Sequence, residues 1–260
     1  MLDAGRESFM TARYALYYAS DPGGSWWQFG SRWLGRCAAK GGDMPRPQIE
    51  GVDPATMEAL TAAPRRYGFH ATLKPPFRLA RGASLPALVQ ALERFCARQT
   101  AFRLPPLAVT ELDGFLALVP SAPDARIDAL AAACVRGLDR FREPLGAAEL
   151  ARWRQSALSA REGSLLRRWG YPYVLDRFRF HFSLTGGLRD APPQVVTALR
   201  GAAIAVTARL AVEPLTLDSV CIFEEPAAGA DFRIVQRARF GHRGRLIYVI
   251  GPSGAGKDSL

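Results

Sequence analysis

Apolar positions recur with period two in several short runs and every three to four residues in others, so the chain reads as mixed strand and helix. Arg13 to Ala19 is a strand-like run rich in aromatics. No packing pattern precedes it, so residues 1–9 read as an extension ahead of Met10. Asp21, Pro22, Gly23 and Gly24 make a turn, and Ser25 is placed to cap a helix over 25–34. Its Trp26, Trp27, Phe29 and Trp33 suit core or groove wall better than a cofactor box. Asp53-Pro54 opens a short helix to about residue 60. A strand follows over 67–79, interrupted at Pro75-Pro76, and then a helix over 84–98. Asp113-Gly114 between strands at 102–112 and 115–119 is a strong hairpin signal. The remaining elements are helices at 124–140, 147–169 and 192–210, and strands at 179–188, 215–225 and 232–240. This order predicts an α+β fold with antiparallel sheets rather than a doubly wound parallel sheet.

Two of the expected strands echo one another. Phe69-His70-Ala71-Thr72-Leu73-Lys74 aligns with Phe180-His181-Phe182-Ser183-Leu184-Thr185 at a spacing of 111 residues, and the chain has only three histidines. In a strand, residues i, i+2 and i+4 share a face. His70, Thr72 and Lys74 then point one way, and Phe69, Ala71 and Leu73 the other. Likewise Arg179, His181, Ser183 and Thr185 oppose Phe178, Phe180, Phe182 and Leu184. The apolar faces belong to a core, whereas imidazole, hydroxyl and cation on one face have no packing purpose. A lone His beside aromatics is commonly structural; two in matched motifs on matched strands point to a site.

If the two strands line one cleft, a neutral His can take a proton from water while a protonated His gives one to a leaving alkoxide. An unperturbed pKa of about 6.5 lets both forms exist near neutrality. Thr72 and Ser183 would hydrogen-bond non-bridging phosphate oxygens, and Lys74, Arg179 and Thr185 would offset developing charge or hold substrate. The scheme needs no metal and no cofactor. Because the segments are near copies, the sequence leaves open which His is base and which is acid.

Composition narrows the partners. The formal net charge is +10; three of the 34 basic side chains are lysines and 31 are arginines. Either an arginine bias is spread over a solvated surface, or the partner carries phosphate, whose oxygens match guanidinium forks. Cys37, Cys96, Cys134 and Cys221 are scattered with no C-x-x-C, as expected of small buried hydrophobes in a reducing cytosol. No apolar run is long enough to span a membrane, and the first twenty residues lack a leader's apolar stretch, which points to the cytoplasm.

The two His-x-[Ser/Thr]-Leu motifs resemble those of the two-histidine (2H) phosphoesterase superfamily. The runs Arg65-Arg66-Tyr67-Gly68-Phe69-His70, Gly114 to Leu118, Trp169 to Asp176 and Phe178 to Leu184 are similar to its branch in phosphonate (C–P lyase) operons. Phe182-Ser183 departs from an expected Met-Thr but keeps the hydroxyl. The resemblance implies a bilobal, pseudo-twofold α+β fold over residues 10–241, with antiparallel sheets around a central cleft and His70, Thr72, His181 and Ser183 catalytic. Residues 242–260 read as a linker and the start of a phosphate-binding loop. Gly251, Gly256 and Lys257 fit G-x-x-x-x-G-K after an apolar strand, with Asp258 at the last position. This fragment resembles the beginning of ribose 1,5-bisphosphate phosphokinases, as in a longer fusion cut at a domain boundary. Without the following helix it would not act as a kinase.

Fused steps tend to be consecutive, so the expected substrate is a small phosphorylated sugar, 5-phosphoribosyl 1,2-cyclic phosphate. It would need a second anion pocket, with Arg65, Arg66, Tyr67, Tyr171 and Tyr173 as candidates. Two alternatives stand beside it: a 2′,3′-cyclic phosphodiesterase on RNA ends, for which Trp169, Tyr171 and Tyr173 offer stacking surfaces, and a non-catalytic phosphate-binding module regulating a fused kinase.

Overall fold

The computed structural model describes residues 12–241; the expected extension at 1–9 and the fragment holding Gly251, Gly256 and Lys257 lie outside them. The fold is α+β, built on a seven-stranded antiparallel sheet in the order β11-β10-β1-β4-β8-β7-β6. These strands are β1 (Arg13–Tyr18), β4 (Ala71–Phe77), β6 (Leu107–Leu112), β7 (Phe115–Pro120), β8 (Phe182–Ser183), β10 (Ser219–Glu225) and β11 (Arg233–Arg239). Two small ribbons accompany it: β2 (Arg36–Cys37) with β3 (Gly42–Asp43), and β5 (Phe102–Arg103) with β9 (Thr216–Leu217). The described helices are α1 (Ser25–Leu34), α2 (Pro54–Tyr67), α3 (Leu85–Cys96), α4 (Ala125–Gly137), α5 (Ala147–Arg154), α6 (Ala160–Trp169) and α7 (Pro193–Leu210).

Local chemistry explains most boundaries. Asp53, Ser84 and Asp124 cap α2, α3 and α4 by accepting from backbone N–H groups in the first turn, each worth about 1 kcal/mol. Gly24 rather than Ser25 precedes α1, with no side-chain cap. The Asp113-Gly114 hairpin forms with positive φ at both residues, 48° and 84°, as a two-residue turn of the primed kind requires. Helix α2 runs on to Tyr67, past Pro64, so the first histidine strand starts at Ala71 and not at 67. The arginine-heavy stretch divides at residues 155–159 into α5 and α6, because Ser159 and Glu162 form a new capping box.

One face of the sheet is covered by α1, α3, α4 and α7 over the main core. Strand β1 is buried on both sides: Tyr14, Leu16 and Tyr18 join that core, while Ala15 and Tyr17 meet Phe223 and Phe232 on the opposite face. In β4 and the segment around β8, Phe69, Ala71, Leu73, Phe180, Phe182 and Leu184 all enter the main core, as their alternation predicts. Phe69 stacks on Phe182 with ring centroids 4.8 Å apart. It fits only because α1 has glycine opposite: a Cβ on Gly30 would lie 1.9 Å from the Phe69 ring. The four cysteines are buried and free. No helix among the described residues is long and apolar enough to cross a membrane.

Candidate active site

The two echoing segments become the two central neighbours of the sheet. Ala71 pairs with Phe182. Stepping that antiparallel register by one residue each way sets His70 opposite Ser183 and Thr72 opposite His181. All four side chains are half-buried, so imidazoles and hydroxyls share the sheet face away from the main core.

Both histidines are oriented by the same local device. His70 Nδ1–H donates to the Gly68 carbonyl at 2.9 Å, and His181 Nδ1–H to the Arg179 carbonyl at 2.8 Å. A carbonyl can only accept, so Nδ1 carries the proton in each ring and Nε2 is left for chemistry. His70 Nε2 lies 3.2 Å from the Thr72 hydroxyl.

Their surroundings differ. Tyr17 stacks on His70 at 3.8 Å between centroids, with Phe223 at 5.9 Å and Tyr67 at 6.1 Å. Burial in this aromatic nest pushes the His70 pKa down to about 4; the Gly68 bond opposes the shift and the charge of His181 adds to it. Its neutral form is therefore strongly favoured. His181 sits 5.6 Å from Phe115. Burial lowers its pKa too, with the Arg179 carbonyl and Asp113 pulling it back up and the Arg179 charge adding to the fall.

A cleft of about 610 Å³ opens over His70, Thr72 and Ser183 and is also lined by Arg13, Tyr17, Tyr67 and Tyr171. A smaller branch of about 220 Å³ shares Tyr67, His70 and Ser183 and extends past Phe115 to Gly186. Among the described residues, no three His, Cys, Asp or Glu side chains are grouped as metal ligands would be.

Several expected site residues stand elsewhere. Lys74 is 1% exposed and points into the protein, donating to the Val135 carbonyl and to Asp139, both at 3.1 Å. The reason is a bulge. Leu16 pairs with Lys74 but Tyr17 pairs with Thr72, so β4 carries an extra residue, which flips the alternation. Pro75 and Pro76 take the cleft-facing places instead. Thr185 lines the smaller branch, but its hydroxyl accepts the Leu116 N–H at 2.9 Å, fastening β7 to the segment after β8. Arg65 pairs with Asp43 and Asp231, Arg66 with Glu225, and Arg179 with Asp113 at the hairpin turn; none lines the cleft. Tyr173 is exposed and stands edge-on to Tyr171. Nor is 179–188 one strand: only Phe182–Ser183 pairs as such.

Residues 72–233 match the family described as "Protein of unknown function (DUF1045)". The chain belongs to that family. The match to the DUF1045 family takes in Thr72, Tyr171, His181 and Ser183 and begins just after His70. Two curated relatives carry the name "Ribose 1,5-bisphosphate phosphokinase PhnN". One, from Janthinobacterium sp. (strain Marseille), is 42% identical over 258 residues, which is 95% of this chain and 57% of that protein. The other, from Laribacter hongkongensis (strain HLHK9), is 40% identical over 257 residues, 95% of this chain and 59% of that protein. The chain thus spans somewhat under three fifths of the curated relatives it matches.

Two cleft residues of this DUF1045 chain escaped the sequence pattern, Arg13 and Tyr17. In a run of alternating aromatics, a tyrosine stacked on a distant histidine looks like any core tyrosine. Only the β1–β4 register, Tyr17 beside Thr72, gives it away.

Proposed function

We propose that this domain is a cyclic phosphodiesterase that opens a ring phosphodiester by two-histidine acid–base catalysis. Its substrate would be 5-phosphoribosyl 1,2-cyclic phosphate, in phosphonate breakdown. The observation that carries the reading is the crossed pairing of the two segments: His70 is set opposite Ser183 and Thr72 opposite His181, and each Nδ1 is tied to a backbone carbonyl, which leaves Nε2 as the free ring nitrogen.

In this scheme the phosphoryl group lies between the rings. His70, held neutral by its aromatic nest, takes a proton at Nε2 from water as the water oxygen attacks phosphorus. The ring P–O bond breaks, and protonated His181 delivers its Nε2 proton to the departing alkoxide. The products are a phosphate monoester and a free hydroxyl, with the proton now on His70, and exchange with solvent resets both rings. Thr72 and Ser183 donate to the non-bridging oxygens, which carry more charge in the transition state than before it. The bound phosphate anion itself favours the protonated imidazole of His181.

The phosphonate context rests on the relatives' name, which belongs to proteins much longer than this chain. Their unmatched portion leaves room for the kinase, and a phosphodiesterase releasing ribose 1,5-bisphosphate would feed it. The crossed register is also what supports the two-lobed, pseudo-twofold reading of the fold, with β11-β10-β1-β4 in one lobe and β8-β7-β6 in the other.

Phosphorus NMR of the purified protein with 5-phosphoribosyl 1,2-cyclic phosphate in EDTA tests the reading. The cyclic phosphate resonance should be replaced by that of a monoester. A spectrum unchanged with excess protein, with and without added divalent metal, would refute it. Cyclic nucleotides assayed alongside decide between sugar and RNA-end substrates.

A further inference from the structure

Buried tyrosine hydroxyls ordinarily find a partner, and two tyrosines of β1 obey. Tyr14 donates to Glu224 at 3.1 Å and Tyr18 to the Thr216 carbonyl at 3.0 Å. Tyr17, between them and 1% exposed, makes no such bond among the described residues, and it lines the cleft. Tyr67 and Tyr171, from α2 and from the turn after α6, line the same cleft and are likewise without a hydroxyl partner among the described residues. The three phenols lie within electrostatic reach of one another, and Arg13 of Tyr17 and Tyr67.

Arg13 is held for the same space. Its Nε binds Glu225, which is fully buried and also takes Arg66 and the Gly229 N–H. Only Nε is engaged; the two terminal amino groups bind nothing among the described residues, on a side chain that lines the cleft. A guanidinium fixed from behind, with its fork free, is a preorganised receptor for phosphate oxygens. Among the described residues, the one carboxylate lining the cleft, Glu149, is bound by Arg78 at 2.8 Å and faces Arg152 at 3.9 Å. Among the described residues, the charged side chains that line the cleft are Arg13 and Arg152 against Glu149. The balance is positive, and burial keeps Tyr17 and Tyr171 as proton-bearing donors.

We propose that Arg13, Tyr17, Tyr67 and Tyr171 form a second anion subsite, which receives a phosphate monoester carried on the same molecule as the cyclic diester. The proposal rests on the catalytic reading above and adds the place of the remote phosphate. Of the five candidates the sequence offered for it, Tyr67 and Tyr171 line the cleft, whereas Arg65, Arg66 and Tyr173 do not. A phosphate monoester near neutrality brings close to two negative charges and three acceptor oxygens, which three phenols and one guanidinium fork can serve together.

The test compares kcat/KM for 5-phosphoribosyl 1,2-cyclic phosphate with that for ribose 1,2-cyclic phosphate, in the wild type, Arg13→Gln and Tyr171→Phe. Binding of ribose 5-phosphate to the same three proteins is measured by calorimetry. In the wild type the 5-phosphate should raise kcat/KM at least about 100-fold, as charge-assisted hydrogen bonds of the usual strength imply. Arg13→Gln should shrink that ratio at least tenfold and Tyr171→Phe, which keeps its packing, a few-fold. Ribose 5-phosphate binding should weaken in the same order. A wild-type ratio near one, or a ratio unmoved in both variants, overturns the subsite while leaving the cyclic phosphodiesterase standing. If neither compound is turned over, the catalytic reading falls, and binding decides the subsite. Ribose 5-phosphate held by the wild type and lost in Arg13→Gln supports it; no binding by the wild type rejects it.

Discussion

The His70 and His181 segments are nearly the same sequence placed in different company. His70 introduces a seven-residue strand between β1 and β8 and lies under Tyr17, with Tyr67 and Phe223 close by. His181 introduces a two-residue strand, next to Phe115 and the exposed Arg179–Asp113 pair at the hairpin tip. The hydrogen bond that orients each imidazole is the same, because it runs to a backbone carbonyl two residues back. What separates the two is desolvation, supplied by neighbours from other parts of the chain. On the proposed reading, a duplicated motif yields a base and an acid without any change in the motif itself.

The sharpest way to break this comparison is to remove one ring at a time. His70→Ala and His181→Ala should each lower kcat about 10²–10⁴-fold, the usual worth of a positioned general acid or base. If either leaves the rate of cyclic phosphate opening near wild type, that ring has no role in proton transfer.

The position four residues after each histidine offers a second contrast. Lys74 and Thr185 both turned out structural, one through an ion pair and the other through a backbone hydrogen bond. Asp139→Ala strands the Lys74 ammonium in the interior and should cost about 3–5 kcal/mol in denaturant unfolding. Lys74→Met should cost far less, since Asp139 still faces Arg142 and Arg168. Equal losses in the two variants would contradict the burial argument.

The pH profile of kcat/KM sharpens the base and acid assignment. A base must be unprotonated, so activity should fall as the pH drops through about 4, the value to which burial pushes His70. An acid must be protonated, so activity should also fall as the pH rises through the His181 pKa, which lies below its ordinary 6.5. The result is a bell with its top on the acid side of neutrality. In His70→Ala the limb near pH 4 should vanish, and loss of the upper limb there instead would reverse the assignment. The smallest effect is expected from Arg179→Gln. An exposed ion pair contributes about 1 kcal/mol or less, and the Arg179 carbonyl that orients His181 survives the change, so kcat/KM should move only a few-fold.

Much of this was legible in the chain because the signals were local. The helix starts near Asp53, Ser84 and Asp124, the Asp113-Gly114 turn and the alternation of Phe69, Ala71 and Leu73 are decided within a few residues and formed where they were read, whereas the cap expected of Ser25 falls to Gly24. The paired motif was legible for the same reason. The bulge that turns Lys74 inward was not, because it exists only in the register between β4 and β1. Arg65 and Arg66 are claimed by acids remote in sequence, Asp231 and Glu225. Arg13 and Tyr17 reach the cleft through the pairing of the first strand with one that begins more than fifty residues later. Side-chain identity and spacing singled out the candidate site, and long-range pairing decided which charges line it.

The central claim is that both imidazoles meet one phosphorus. Imidazole ¹⁵N NMR of the protein, titrated with a non-hydrolysable cyclic phosphorothioate, tests it most directly. The Nε2 resonances of His70 and His181 should shift together and saturate at one ligand per chain, while both Nδ1 resonances keep their protonated, carbonyl-bonded positions. A titration in which only one of the two rings responds, or in which they respond at different ligand ratios, would contradict the account.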